Sequence, residues 1–197
     1  MNIMVGIAFF MGYFFGALPF AVWVGRMVGV DVTRQGSCNP GATNVLRLAG
    51  KKAGYTVFLL DALKGAIPVA SMMLWDKEQV LAPVMALLGA IVGHSFSCFL
   101  RFKGGKGVAT TIGGLLILMP ISLGVGACVW GLTFWATRYV SLASVLLAMS
   151  LPISAYGLKS PEPYFYLSVF LAAFVVFRHR KNLQRIFAGN ESRFLKK

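Results

Sequence analysis

From Ile3 to Val24 the chain runs 22 residues without one charged side chain. A helix of that length rises about 33 Å, enough to cross the roughly 30 Å hydrocarbon core of a bilayer. No basic n-region or short h-region marks it as a cleaved signal, so it reads as a retained helix. Apolar stretches recur at 3–27, 54–74, 80–98, 107–119, 121–137, 142–157 and 164–177. With 13% charged residues and a mean hydropathy of +0.73 over 197 residues, an ordinary soluble domain is excluded. The expected fold is all-α and membrane-integral: seven transmembrane helices forming one domain over 1–197, some of them short.

The doubtful stretch is 107–137, which fits one over-long helix or two helices broken at Pro120. Charge decides, because Lys and Arg prefer cytoplasmic loops. With seven segments and an outside N-terminus, 16 of the 19 Lys and Arg fall on the cytoplasmic side, leaving Lys77 and Lys159 outside and Lys64 within a segment. Merging 107–137 would send the basic C-terminal tail outside. The same asymmetry accounts for the net charge of +13 without nucleic acid. Segments 107–119 and 164–177, at 13 and 14 residues, cover only about 20 Å as helices. Either the bilayer thins around them or they border a water-filled recess. Cys38, Cys98 and Cys128 match no metal-binding spacing, so reduced thiols and no metal or cofactor are expected.

Three polar clusters lie on the expected cytoplasmic side. The first, "RQGSCNPGATNVLR" from Arg34 to Arg47, sits in a connection of about 25 residues, long enough to suggest function. Ser37, Asn39, Thr43 and Asn44 offer hydrogen-bonding groups and Arg47 a forked cation; a plainer reading makes Asn39 the N-cap of the next helix. The second, "RFKGGKGVATTIGG" from Arg101 to Gly114, combines Gly104, Gly105 and Gly107 with Lys103 and Lys106. It is not a Walker A loop, since Lys106 is followed by Gly107. Successive glycines let backbone amides converge on an anion, and a helix starting near Gly107 points its positive end the same way. Thr110 and Thr111 add hydroxyls. A positive-inside turn facing anionic lipid explains the cations but not the glycines.

The third cluster is "RHRKNLQRIFAGNE", Arg178 to Glu191. If the last helix continues through it, His179, Asn182 and Arg185 recur every three residues and share a face. An anionic-lipid anchor would need neither His179 nor Asn182. Glu191 suits a cation partner that holds the tail better than a catalytic base. Within the second segment, Asp61 and Lys64 are spaced to pair; they form either a self-satisfied pair or a pair whose Lys64 lines the recess. His94 reads as a hydrogen-bonded packing residue.

Together the clusters resemble the acyl-phosphate:glycerol-3-phosphate acyltransferase family of bacterial membranes. "GSCNPGATN" is similar to its first motif, Ser-Gly-Asn-x-Gly-x-Thr-Asn, with Cys38 where glycine is usual. "FKGGKGVAT" is similar to its glycine-rich second motif. "HRKNLQRIFAGNE" is similar to the third, His-x-x-Asn-x-x-Arg-x-x-x-Gly-x-Glu. The resemblance implies a multi-pass enzyme of the bacterial inner membrane, surrounded by its lipids. It implies acyl transfer from acyl phosphate to the 1-hydroxyl of glycerol 3-phosphate, giving lysophosphatidic acid and phosphate. It places Ser37 and Arg47 in the active-site set, Gly104, Gly105, Lys106 and Gly107 in the phosphate loop, His179 and Asn182 at substrate, and Glu191 in a supporting role.

An acyl phosphate is already activated, so direct attack by the glycerol hydroxyl needs no metal and no covalent intermediate. Lys106, Arg47 and the glycine amides are expected to hold phosphate, and Ser37, Asn182 and His179 to orient the acceptor; either His179 or the acceptor's phosphate takes the proton. Asn39, Thr43, Asn44, Thr110 and Arg185 are further candidate substrate contacts. An anion transporter would place its polar groups near the midplane, whereas here only Asp61 and Lys64 lie deep. An acyl-CoA-type enzyme would need His-x4-Asp, but Phe99 and Gln184 stand five residues after His94 and His179.

Overall fold

A computed structural model describes residues 3–75, 78 and 80–194. Lys77, Lys196 and Lys197, which enter the charge asymmetry, lie outside the described residues. Among the described residues all regular structure is helical, and all seven expected segments lie largely within helices. The chain packs as two compact units, Met1–Leu118 and Met119–Lys197.

The first unit holds α1 (Ile3–Ala17), α2 (Phe20–Met27), α3 (Ala42–Trp75), α4 (Leu81–Ser95) and α5 (Val108–Leu118), with a 3-10 turn at Cys98–Leu100. Segment 3–27 is therefore not one continuous helix. Pro19 lacks the amide that would continue α1 and takes φ −90°, ψ 56°, restarting the chain as α2. Helix α3 kinks at Gly50, whose φ of 83° belongs to the left-handed region.

Two interfaces rest on reciprocal glycine notches. On α1, side chains added at Gly12 or Gly16 would overlap the carbonyls of Ala86 or Ala90; on α4, Gly89 and Gly93 meet the carbonyls of Phe9 and Tyr13 in the same way. Gly65 of α3 rests on the Thr110 carbonyl, and Gly113 of α5 on the Ala62 carbonyl. Lipid supplies little hydrophobic drive between helices, so close backbone approach through small residues gives the dispersion contact that holds them.

The second unit is α6 (Pro120–Thr137), α7 (Val140–Gly157) and α8 (Glu162–Phe187), two successive helical hairpins. The 107–137 question resolves as two helices: α5 ends at Leu118, Met119 is non-helical, and Pro120 opens α6 as its first residue. Arg138 adopts φ 61° to end α6, and Lys159 φ 51° follows α7. Val145, Ala148 and Val175 form a core between α7 and α8.

By length and composition, Ile3–Met27, Ala42–Trp75, Leu81–Leu100, Pro120–Thr137 and Val140–Gly157 can each cross a bilayer. Of the two helices expected to be short, only α5 is, at 11 residues or about 16 Å. Helix α8 runs 26 residues, because it continues from its apolar half through the basic cluster. Large apolar side chains such as Leu74, Trp75, Trp135, Ile153 and Tyr156 are more than 70% exposed, as suits lipid-facing surfaces.

Candidate active site

The first cluster is an organised loop followed by helix. The expected 25-residue connection is shorter, since α3 begins at Ala42 and carries Thr43, Asn44 and Arg47 on helical backbone. Asn39 does not cap it: the amides of Asn44 and Val45 donate to the Gly41 carbonyl. Asn44, 1% exposed, is the hub of the loop. Its amide donates to the carbonyls of Val32 (3.0 Å) and Gln35 (3.1 Å), and its oxygen accepts from the Ser37 amide (2.9 Å). These bonds occupy both donors of the side chain, so Asn44 shapes the loop instead of offering those hydrogens to substrate. Gly36 (φ 62°) lies against the same amide, and a side chain there would overlap it.

Cys38, where the family usually has glycine, takes φ 54°. A non-glycine residue in that region costs on the order of 1 kcal/mol, and the loop's hydrogen bonds hold it there. Asp31 braces the start of the loop: the Thr33 hydroxyl (2.6 Å) and amide (3.0 Å) donate to it, which with Arg34 and Arg26 holds its carboxyl below its ordinary range. Ser37 and Arg47 are exposed, and Asn39 and Thr43 half-buried.

The second cluster lies beside the first. A methyl group at Gly105 would stand 2.8 Å from the Pro40 carbonyl oxygen, and a small cavity is lined by Pro40, Gly105, His94 and Lys64 among others. The glycines serve a different purpose from the one expected. The amides of Gly104 and Gly105 donate to the carbonyls of Ser95 and His94, both at 3.1 Å, so these two hydrogens do not form an anion nest. What glycine supplies is close approach, since side chains at Gly104 and Gly105 would overlap the His94 carbonyl and ring. The amides left without intrahelical acceptors are instead those opening α5, beginning at Val108 after Gly107 (φ 80°), as in any first helical turn. Lys106 is half-buried and Lys103 exposed. Thr110 is fully buried and turned inward, its hydroxyl 3.3 Å from His94 Nδ1, so it does not face outward as a substrate contact.

Beneath this loop Asp61 and Lys64 form a buried ion pair at 2.7 Å, and Lys64 Nζ donates to the Leu18 carbonyl at 2.9 Å. The two charges satisfy each other, and Lys64 also borders the small cavity.

The third cluster belongs to the second unit. Helix α8 continues through it, aligning His179, Asn182 and Arg185. Glu191 gathers Asn182 and Arg185 after the chain turns back at Gly189 (φ 72°). Its carboxylate accepts from Ser141 (2.8 Å), Asn182 (2.6 Å) and Arg185 (2.7 Å). Burial pushes this carboxyl up, but the bonds from Asn182, Ser141 and Arg185 and the Arg185 charge outweigh it, leaving the group below its ordinary value. Ser141 was not readable as part of the cluster, since a lone serine in an apolar helix, 50 positions away, carries no signal. The tail is held further by the Phe194 amide on the Arg138 carbonyl and by Arg193 on the Tyr139 hydroxyl.

His179 is buried, with Nδ1 2.9 Å from the Val175 carbonyl. A carbonyl only accepts, so Nδ1 carries the hydrogen and, in the neutral ring, Nε2 carries the basic lone pair.

These features define a multi-pass α-helical membrane protein with a glycine-rich loop packed against a hydrogen-bonded polar loop. The chain matches the family model "Glycerol-3-phosphate acyltransferase" over residues 6–189, and it belongs to that family. It is 43% identical to the glycerol-3-phosphate acyltransferase of Fusobacterium nucleatum, over 92% of this chain and 94% of that protein. It is 41% identical to that of Syntrophotalea carbinolica, over 92% and 93%. Its fold is similar to the crystal structure of PlsY (YgiH), an integral membrane glycerol 3-phosphate acyltransferase, in its glycerol 3-phosphate form (TM-score 0.92, 34% identity, 97% of this chain and 96% of that one). The lysophosphatidic acid form matches with a TM-score of 0.90 at 34% identity, over 97% and 95%.

Proposed function

We propose that this chain transfers an acyl group from acyl phosphate to the 1-hydroxyl of glycerol 3-phosphate. In this reading the hydroxyl oxygen attacks the acyl carbonyl carbon, the tetrahedral oxyanion collapses, and the bond to phosphate breaks. Lysophosphatidic acid and inorganic phosphate leave. The hydroxyl proton passes to His179 Nε2. The observation that carries the proposal is the seating of the glycine loop against the first motif at Pro40 and Gly105, which joins a phosphate-type site to the Ser37 loop.

The reaction is assigned to Ser37, Arg47, Lys106, His179 and Asn182, and the whole chain 1–197 to one acyltransferase domain. Arg47, Lys106 and the amides opening α5 neutralise phosphate, while Ser37, His179 and Asn182 orient the acceptor. Well-oriented reactants gain on the order of 7–11 kcal/mol, enough for a donor whose leaving group is already phosphate. Asn39, Thr43 and Arg185 are further substrate contacts in this reading. The site faces the cytoplasm of a bacterial inner membrane, with the N-terminus outside and the C-terminus inside. The excess of basic residues in the connecting loops supports that orientation.

Purified protein supplied with acyl phosphate and glycerol 3-phosphate is expected to release phosphate only when the acceptor is present. Folded protein that releases none, or releases it at the same rate without acceptor, contradicts the proposal.

A further inference from the structure

The buried residues beneath the glycine loop have no step in the reaction, yet they touch the loop at its tightest point. We propose that His94 is a positioning residue for the phosphate loop, its carbonyl and ring forming the seat for Gly104 and Gly105, held in register by Thr110 and the Asp61–Lys64 pair. This rests on the acyl-transfer reading above and names a new participant in it.

The geometry is over-determined. The His94 and Ser95 carbonyls, left over at the C-terminal end of α4, accept the Gly105 and Gly104 amides. The ring lies flush against Gly105, with no room for a side chain between them. Its Nδ1 is 3.3 Å from Thr110 Oγ1 and 3.8 Å from Asp61 Oδ1. Asp61 is fixed by Lys64, and Lys64 by the Leu18 carbonyl at the break between α1 and α2. One polar chain therefore links that break with α3, α4 and α5 at the depth of the loop.

Burying four polar side chains in an apolar bundle is costly, and well-packed apolar residues would stabilise the bundle as well or better. What the cluster supplies instead is a fixed ring orientation. The loop needs such a template, because Arg101 and Phe102 just before it both adopt left-handed backbone (φ 51° and 60°), which persists only under restraint from neighbours. Loss of the register would shift the amides opening α5 and Lys106 away from phosphate while leaving the reacting groups in place.

The test is a kinetic comparison of wild type, Thr110→Val, Thr110→Ser, His94→Phe and His94→Asn, with thermal midpoints measured in detergent. Thr110→Val removes the hydroxyl at nearly constant volume, and His94→Phe keeps the ring without its nitrogens. Both are expected to raise KM for one of the two phosphate-bearing substrates by roughly five- to tenfold, with kcat within about twofold. The inhibition constant of inorganic phosphate should rise in the same ratio. Thr110→Ser, which returns the hydroxyl near the Nδ1 contact, should recover most of the loss, whereas His94→Asn, which lacks the ring that seats Gly105, should not. Unchanged KM values in Thr110→Val overturn the inference, as does a fall in activity and thermal midpoint together with no KM change. A folded wild type without acceptor-dependent phosphate release overturns the acyl-transfer reading itself, and this inference with it.

Discussion

At the scale of single residues, some of the family motif groups hold a loop together. Asn44 and Glu191 are both motif residues, and both turn their polar atoms into their own cluster. Glu191 gives a pH prediction. Its folded carboxyl titrates below its ordinary value of 4.5, so its contribution to stability is complete above that pH and disappears as pH falls through the folded value. The thermal midpoint of the detergent-solubilised protein should drop on acidification below 4.5, whereas Glu191→Gln should start lower at neutral pH and respond less. Identical pH profiles would remove Glu191 from the tail's support. His179 presents the opposite case, a ring whose tautomer is set by Val175. His179→Gln is expected to lower kcat by about 10²-fold or more with a smaller change in acceptor KM, as loss of a general base requires. A modest rate loss with weakened acceptor binding would assign the proton to the acceptor's own phosphate.

At the scale of elements, the sequence was legible where punctuation was chemical. Pro120 after Met119 appears as a helix boundary. The break at Pro19 was not legible, because Leu18 and Phe20 around it are apolar and the run looks uninterrupted. The glycine loop was located correctly and its use was misread. Whether a glycine serves a ligand or a neighbouring backbone depends on α4, ten positions upstream, whose terminal carbonyls accept the Gly104 and Gly105 amides. The same close approach defines the α3–α5 contact. Gly65→Ala forces a methyl group into the Thr110 carbonyl and should cost about 1–3 kcal/mol. Gly124→Ala, with open space at the same distance, should be neutral or stabilise by up to roughly 1 kcal/mol through helix propensity. Equal thermal midpoints for the two variants would show that α3 and α5 do not pack through this notch.

At the scale of the whole molecule, the first two motif clusters lie in one unit and the third in the other. The motifs were readable because each is local, within 14 residues, and because cations distribute unevenly along the chain. Any joint action of the three is not readable from composition or periodicity, because it concerns distance in space between segments up to 145 positions apart, as Ser37 and Asn182 are. Cys38 offers a native reporter for the first cluster, being exposed in its loop. With Cys98 and Cys128 replaced by alanine, Cys38 alone, or Lys103→Cys or Lys181→Cys in a background also lacking Cys38, reports on each cluster in turn. The decisive measurement is labelling of these three proteins by a membrane-impermeant maleimide in inverted and right-side-out vesicles, with and without glycerol 3-phosphate. The account predicts reaction from the cytoplasmic side alone at all three positions, slowed by glycerol 3-phosphate. Reaction from opposite sides of the bilayer would contradict it.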